Sequence, residues 1–312
     1  SRATTFEELL ITRALMGISE ACYIPAALAL IVDYHRGTTK SLATGLHIAG
    51  IYVGQSLGFT GAWLAEKNSW QYAFSVFGMI GIAYAVILLF VLKDAPKSAD
   101  HEEARKSAGT VSFMDAFRQL FKSRAYVIAL AAWGLTGIAS WAINAWLPTY
   151  YKETFSLTQT EAGIYATGYF FPAMLVGVLV GGAVADFWSR YNPNARILLP
   201  ALSLALATPF VILGSSTSVL WLAVLGFMIY AFVRPFLDAN MMPILSMIAD
   251  RRYLATGYGI LNLFSCVVGG LGIYAAGALR DAQIDLSLMF QVAAGTLLMS
   301  GLLLYRIKVH KP

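Results

Sequence analysis

The sequence predicts an all-α polytopic membrane protein, and three observations support this prediction. Hydrophobic residues make up 58% of the chain and charged residues only 12%, about half the charged fraction of a typical soluble domain. The mean hydropathy is +0.65. Apolar stretches long enough to cross a bilayer as helices recur along the chain. They form nine windows, at 9–32, 41–65, 70–92, 126–148, 161–185, 197–216, 219–248, 254–277 and 287–307.

The first window carries two charged residues inside a stretch that is otherwise apolar. Arg13 and Glu20 are seven residues apart, which is two helical turns, so both side chains project from one face of a helix. A charge near the bilayer centre costs about 2.5–3.5 kcal/mol on insertion scales, so such residues normally face a polar cavity or a partner. We therefore expect this helix to contribute to a functional site.

A similar pattern occurs in the seventh window. Glu20 begins the run E-A-C-Y-I-P, and Asp238 begins the run D-A-N-M-M-P. Each run is followed by an aspartate, a short charged loop and the sequence Leu-Ala-Thr-Gly, at 42–45 and at 254–257. We interpret this pattern as an internal repeat with one carboxylate and one helix-bending proline in each half, which is typical of secondary transporters.

The region 93–125 is the one long polar connection, and it predicts three parts of the chain. These are 1–92 with three windows, a linker at 93–125, and 126–312 with six windows. Within the linker, residues 112–124 place apolar residues at helical spacing with basic residues between them. This pattern is typical of an amphipathic helix that lies on the inner leaflet.

The distribution of Lys and Arg predicts the orientation of the chain. If the C-terminus lies in the cytoplasm, sixteen of these residues fall in inside segments and four fall outside. Because inside loops carry an excess of positive charge, we expect the C-terminus and the linker to be cytoplasmic. The expected location is the cell (inner or plasma) membrane.

Glycines recur every fourth residue in two windows, at Gly50, Gly54 and Gly58 and again at Gly177 and Gly181. Small residues at this spacing let helix backbones approach closely in lipid. Ordinary close packing is one interpretation of the pattern. The other is that these helices meet across the two halves of the protein and slide during transport.

The segment G-A-V-A-D-F-W-S-R, which contains Asp186 and Arg190, resembles the G-x-x-x-D-(R/K)-x-G-(R/K) loop of the major facilitator superfamily. It departs from that pattern at Phe187 and Ser189. The resemblance implies a conformational role for Asp186 and Arg190, and a partner for Asp186 at the start of the helix from Thr256 onward. The alternative is that Asp186 is a solvated loop acid.

Arg13 with Glu20, followed by Tyr23 and Pro25, resembles the fourth helix of the anion:cation symporter family, whose members carry organic anions, phosphate or hexuronates. The runs A-G-I-Y-V-G at 49–54 and W-Q-Y-A-F-S-V-F-G at 70–78 resemble the next two helices of that family. Spinster-type lipid transporters share a similar Arg-x6-Glu-Ala pattern. The resemblance implies helices 4–12 of a twelve-helix fold of two pseudo-symmetric bundles, with the first three helices missing.

Polar residues within the windows are the candidates for a solute site. Arg13 would clamp an anion, because a guanidinium pairs bidentately with carboxylate or phosphate, or it would pair with an acid on a missing helix. Glu20 would carry the coupling proton, because a carboxyl in low dielectric can be charged or neutral, or it would form a permanent ion pair. Arg234 and Asp238 are one turn apart, so they either neutralise each other or take part in solute binding and proton coupling.

Seven further side chains complete the predicted substrate site. His47 is a hydrogen-bonded buried histidine or a proton relay, and the aromatic residues are ligands or members of the interfacial belt. An amide within a span needs a hydrogen-bonding partner. The seven are Tyr23, His47, Trp141, Asn144, Tyr165, Asn240 and Asn262.

We therefore predict a secondary transporter that moves a small organic anion by alternating access: a carboxylate, a sugar acid or a phosphate-bearing solute. The expected coupling ion is H⁺, with Na⁺ as the second choice. The alternatives are a spinster-like lipid or lysolipid carrier and a non-transporting membrane sensor. The sequence shows no nucleophile–base set and no metal-ligand cluster, so we expect no enzyme activity, cofactor or metal. We also expect a monomer in the lipid bilayer that binds no nucleic acid.

Overall fold

The computed structural model describes residues 1–34, 40–93 and 112–307. The chain forms two compact units, Ser1–Gly109 and Thr110–Pro312. The described residues are largely helical, and no strand occurs among them. Most of the linker predicted at 93–125 lies outside the described residues, and so do the side chains of Pro25 and Asp33 and of most of the 42–45 motif.

Eleven helices can be defined in the described part of the chain. The first unit contains α1 (Phe6–Tyr34), α2 (Lys40–Ser56), α3 (Phe59–Lys67) and α4 (Trp70–Val91). The second unit contains α5 (Phe113–Lys122), α6 (Arg124–Thr154), α7 (Gln159–Ser189), α8 (Ala195–Ser216), α9 (Leu220–Ile248), α10 (Leu254–Asp281) and α11 (Leu286–Tyr305).

Seven of these helices, α4 and α6–α11, are long and apolar enough to cross a membrane. Helix α1 is 29 residues long. The window predicted at 41–65 is not one continuous helix, because it is divided between α2 and α3 at Leu57 and Gly58. The Gly58 amide donates to the carbonyl of Gln55, and the Gly61 amide donates to the carbonyl of Gly58, both at 3.0 Å. These i→i−3 bonds form a tight turn between two helical segments.

Short polar side chains begin several of the helices. Ser69 accepts the backbone amide of Tyr72 ahead of α4, and Ser123 accepts that of Tyr126 ahead of α6. Thr158 and Glu161 form a reciprocal capping box at the start of α7. Each of these contacts satisfies an amide that has no partner in the first helical turn, so the apolar runs begin as helices at defined residues.

The core of the second unit is built around α6, which packs on both α10 and α11, while α8 packs on α9 and α11. Polar groups join these helices inside the core. The Tyr126 hydroxyl donates to the carbonyl of Gly257 at 3.0 Å, and the Tyr150 hydroxyl donates to that of Gly214 at 2.9 Å. Such bonds hold membrane helices together, because apolar side chains gain little by leaving lipid for one another.

The first unit is much less tightly packed. Ala73 is the one buried residue among its described side chains. The Tyr34 hydroxyl donates to the carbonyl of Lys93 at 2.6 Å and so joins the end of α1 to the end of α4. Helix α1 therefore presents most of its described side chains at the surface of this unit.

Candidate functional site

Helix α9 is interrupted at its centre, and the interruption places a charged residue there. The helical segments Leu220–Val233 and Pro235–Ile248 meet at Arg234. Pro235 has no amide proton, and its ring excludes the carbonyl four residues earlier, so a regular helix cannot continue through it. Pro243, the proline of the predicted repeat, lies inside the second helical segment. The interruption therefore lies at Pro235, and a bend at Pro243 stays a prediction.

The charge at the interruption is paired. Nη1 of Arg234 contacts Oδ2 of Asp238 one turn later, and the two side chains are 12% and 25% exposed. The ion pair expected from the four-residue spacing thus forms. A half-buried pair of this kind keeps both charges in the membrane domain at much lower cost than two separate ions.

Two polar side chains of α9, Tyr230 and Asn240, flank this ion pair in the sequence. The Tyr230 hydroxyl, one turn before Arg234, donates to Oγ of Ser140 on α6 at 3.3 Å. Asn240 is buried, and its side-chain amide donates to the carbonyl of Phe236 at 2.8 Å. The donor of Asn240 is thus engaged within its own helix.

Two glycines of α7 hold the interrupted part of α9 in place. A Cβ at Gly177 would clash with the carbonyl oxygen of Phe232, and a Cβ at Gly181 would lie 2.8 Å from Cα of Phe236. Real Cβ atoms do not approach backbone atoms this closely, so α7 and α9 meet backbone to backbone on both sides of Arg234. The close packing predicted for Gly177 and Gly181 is confirmed.

The glycines of α2 behave differently. A Cβ at Gly50 or Gly54 meets no atom within 4 Å. Close packing at Gly50 and Gly54 is therefore not found in the described residues. Gly58 lies in the turn that separates α2 from α3. A sliding contact with the other half of the protein stays a prediction.

In the first unit, the predicted residues of α1 are exposed. The Arg13 guanidinium lies 5.8 Å from the centre of the Phe74 ring on α4, and no ion pair joins Arg13 to Glu20 or to another described acid. The Tyr23 ring lies 5.7 Å from that of His47 on α2. Nε2 of His47 is buried and has no hydrogen-bond partner among the described residues. The structure thus brings Tyr23 and His47 together and leaves Arg13 and Glu20 apart.

The other predicted ligands in the second unit do not form one cluster. Tyr165 lies in a π-helical segment of α7, Ile164–Tyr169, and stacks on Tyr169 at 5.8 Å. Trp141 of α6 lies against Gly269 of α10. Oδ1 of Asn144 is buried without a described hydrogen-bond partner, whereas Asn262 is exposed. Among these four residues, Asn144 is the one whose buried oxygen still needs a donor.

The loop after α7 contains an ion pair that differs from the expected one. Oδ1 of Asp186 accepts a hydrogen bond from Nη2 of Arg196, at the start of α8, at 2.7 Å. The partner is therefore on the next helix rather than near Thr256, because the short loop brings the start of α8 to the end of α7. Arg190 is exposed in the same loop. The described residues contain no group of His, Cys, Asp or Glu that could hold a metal ion.

A family model described as Major Facilitator Superfamily matches residues 3–273 and 135–312 of this sequence. The chain belongs to the major facilitator superfamily. This is a family of transporters rather than enzymes, which agrees with the expectation of no enzyme activity. The predicted all-α major facilitator fold is also confirmed.

Two relatives and one solved structure indicate where this chain stands among major facilitator proteins. The hexuronate transporter of Escherichia coli is 23% identical over 329 residues, covering 97% of this chain and 73% of that protein. Protein spinster homolog 1 of Xenopus tropicalis is 23% identical over 218 residues, covering 66% of this chain. The chain spans 41% of the length of that relative.

The solved structure is that of a bacterial homologue of the human lysosomal transporter Spinster in an inward-facing, unoccupied conformation. It matches with a TM-score of 0.69 and 19% identity, covering 97% of this chain and 76% of that one. This likeness shows the fold and assigns no role to single residues. The functions of the residues described above therefore stay predictions.

Proposed function

We propose that the protein is a secondary transporter that moves a small organic anion by alternating access, with H⁺ as the coupling ion. The hexuronate transporter is similar to this chain over nearly its whole length, which supports a sugar acid or another carboxylate as the solute. Two arginines, Arg13 and Arg234, lie within spanning helices or windows. A cationic group in such a place favours an anionic partner.

The state of Arg13 is the observation that carries the proposal. Arg234 already contacts Asp238, whereas Arg13 takes part in no ion pair recorded among the described residues and lies 5.8 Å from the centre of the Phe74 ring. A cation–π contact is worth about 0.5–2 kcal/mol, which is less than the cost of about 2.5–3.5 kcal/mol for a charge near the bilayer centre. The planar guanidinium therefore remains available for a carboxylate or phosphate of the solute.

Glu20 is the proposed coupling acid. It is separated from Arg13 by two helical turns, roughly 10 Å along the axis, and no ion pair joins the two side chains among the described contacts. A solute anion bound to Arg13 and a proton bound to Glu20 would together neutralise this face of α1. Na⁺ remains the alternative coupling ion.

The proposal is tested by Arg13→Lys in protein reconstituted into liposomes. An ammonium cannot reproduce the two parallel hydrogen bonds of a guanidinium. The hexuronate concentration that gives half-maximal transport should therefore rise by about tenfold, which corresponds to about 1.4 kcal/mol. A neutral sugar of the same size should be transported as poorly by the variant as by the parent. Arg280→Lys is the matched control, because Arg280 lies in the second unit and pairs there with Glu153. Equal loss for charged and neutral solutes would show that Arg13 is structural.

A second candidate function is a lipid or lysolipid carrier. Similarity to a spinster homologue and the likeness to the Spinster-type structure both favour it. The same liposomes distinguish the two functions if a labelled lysophospholipid and a labelled hexuronate are offered separately. Transport of the lysolipid without the hexuronate would replace the anion proposal.

The proposed orientation has a cytoplasmic C-terminus, supported by the excess of Lys and Arg in the segments assigned to that side. A C-terminal alkaline phosphatase fusion should be inactive, and a C-terminal fluorescent protein should fold and emit. Activity of the phosphatase fusion would reverse the orientation.

A further inference from the structure

A cavity of 880 Å³ opens where three helices of the second unit end. Arg124 begins α6 and Arg306 follows the last turn of α11, and both guanidinium-bearing side chains line this cavity. The Ser123 hydroxyl donates to the carbonyl of Ile248 at 3.4 Å and ties the start of α6 to the end of α9. The remaining large side chains of the lining are apolar: Ile128, Met247, Ile248 and Leu303.

We propose that this cavity binds an anionic phospholipid. Arg124 and Arg306 would pair with the phosphate of the head group, and the apolar side chains would contact the upper part of an acyl chain. Two guanidinium groups beside an apolar wall match a ligand that is negatively charged at one end and hydrocarbon at the other. Basic pockets between helix ends are suited to such head groups.

The two arginines have no acidic partner among the described residues. None of the described lining residues is acidic, and neither arginine takes part in an ion pair recorded for the described residues. The acid of the neighbouring α9–α10 loop, Asp250, is already bound by Arg252 at 2.8 Å. That hydrogen bond lowers the pKa of Asp250 to about 2, so Asp250 stays charged and engaged with Arg252. The described residues thus supply no counter-charge for Arg124 and Arg306, which is consistent with an external anion at this cavity.

Helix α5 indicates that the cavity lies at the level of the lipid head groups. It ends at Lys122, directly before Ser123, and it buries Ala116 and Leu120 against the unit. Three phenylalanines at four-residue spacing, Phe113, Phe117 and Phe121, remain 64%, 38% and 38% exposed. A short helix with exposed aromatic residues next to basic ones lies in the membrane interface. A lipid in that interface can reach the cavity without leaving its leaflet.

This position favours a phospholipid over a soluble phosphate. A lipid is already present in the leaflet beside the cavity, and its acyl chain would cover the apolar side chains of the lining, whereas a soluble anion would leave that apolar wall in contact with water. The predicted orientation places this end of the second unit in the cytoplasm, and the cytoplasmic leaflet carries the anionic lipids.

The proposal can be tested by native mass spectrometry of the purified full chain in detergent. Phosphatidylglycerol is titrated against the parent protein and against the double variant Arg124→Gln/Arg306→Gln. Each arginine near a membrane surface contributes about a fivefold increase in affinity, so the double variant should bind phosphatidylglycerol at least about tenfold more weakly. Arg118→Gln is the matched control, because Arg118 lies on α5 at the same end of the unit but does not line the cavity.

Three further measurements decide between the possible results. Phosphatidylcholine should bind the parent and the double variant equally weakly, and glycerol phosphate should not displace phosphatidylglycerol. The double variant Arg124→Lys/Arg306→Lys keeps both charges and should bind more tightly than Arg124→Gln/Arg306→Gln, which separates loss of charge from loss of folding. Displacement by glycerol phosphate would overturn the lipid proposal in favour of a soluble anion. A loss in Arg118→Gln as large as in the double variant would show general surface attraction instead of this cavity.

Discussion

The predicted repeat carries a carboxylate in each half, yet Glu20 and Asp238 lie in different electrostatic surroundings. Asp238 is partly buried and contacts Arg234. Glu20 is exposed and forms no ion pair with Arg13 among the described residues. The difference follows from the position of the arginine, which is four residues before Asp238 but seven before Glu20. A spacing of four brings two side chains into contact on a helix, whereas a spacing of seven places them two turns apart.

This comparison suggests that the two copies of the predicted repeat have different roles. We expect a charge pair between residues of one helical turn to persist through the transport cycle and to act mainly as a structural element. A cation and an acid that share a face without contact can each bind something else. The glycines of the two units also differ. A Cβ at Gly177 or Gly181 would clash with α9, whereas a Cβ at Gly50 or Gly54 would meet no atom within 4 Å. Within the described residues, the contacts at Gly177 and Gly181 are therefore close, and those at Gly50 and Gly54 are not.

The largest effect is expected for Glu20→Gln. The amide imitates a permanently protonated carboxyl, so uptake driven by a proton gradient should be abolished, while exchange of labelled for unlabelled solute should continue. Both activities are measured in liposomes with and without an imposed pH gradient. Glu153→Gln is the matched control, because Glu153 pairs with Arg280 on the second unit. Accumulation of solute against its gradient by Glu20→Gln would show that another group couples transport to protons.

The next largest effect is expected for Asp238→Asn. Removing one member of a buried ion pair costs about 3–5 kcal/mol. Because the side chains here are 12% and 25% exposed, we expect a loss at the lower end of that range, about 3 kcal/mol. The midpoint temperature of thermal unfolding in detergent should fall clearly for Asp238→Asn and should not fall comparably for Glu20→Gln.

The double variant Arg234→Met/Asp238→Leu sharpens this result. Replacing both charges by apolar groups of similar size is often neutral for stability, so the double variant should unfold near the parent temperature. If the double variant is destabilised as much as Asp238→Asn, the hydrogen bonds that other polar groups make to these two side chains contribute more to stability than the ion pair itself. Equal stability of Asp238→Asn and the parent would remove the distinction between the two carboxylates.

Much of the fold could be predicted from apolarity and spacing. Long apolar windows predict spanning helices because lipid requires every backbone group to bond within its own segment. The amphipathic pattern at 112–124 likewise predicted α5, which forms at Phe113–Lys122. Hydropathy does not report on the backbone, however, so the division of 41–65 at Gly58 was not predictable from it.

The site could be predicted only where its contacts are local. The Arg234–Asp238 pair follows from i,i+4 spacing, but the bond from Tyr230 to Ser140 depends on how α6 packs on α9. Both Pro235 and Pro243 lack an amide proton, and sequence does not decide which of them interrupts the helix. The interruption lies at Pro235, where α7 presents glycines to α9. Packing between distant segments thus determines these features.

A smaller effect is expected for Gly177→Ala, which adds one methyl group at the contact between α7 and α9. That methyl group would clash with the carbonyl oxygen of Phe232, and a backbone atom cannot rotate away as a side chain can. Overpacking of this kind costs about 1–3 kcal/mol. Thermal unfolding in detergent should show the loss, and Gly182→Ala is the control, because its Cβ would meet only Ala239, at 3.9 Å. Equal unfolding temperatures for the two variants would mean that α7 and α9 can move apart at little cost in free energy.

The smallest effect on stability is expected for Gly54→Leu, and its sign should be opposite to that of Gly177→Ala. A Cβ at Gly54 meets no atom within 4 Å, and leucine favours a helix over glycine by about 0.5–1 kcal/mol. Unfolding should therefore occur at the parent temperature or slightly above it. Transport should nevertheless slow, if α2 slides against another helix in part of the cycle, because a leucine would keep the two backbones apart. Unchanged transport by this stable variant would refute the sliding contact, whereas a marked loss of stability would mean that Gly54 is closely packed like Gly177.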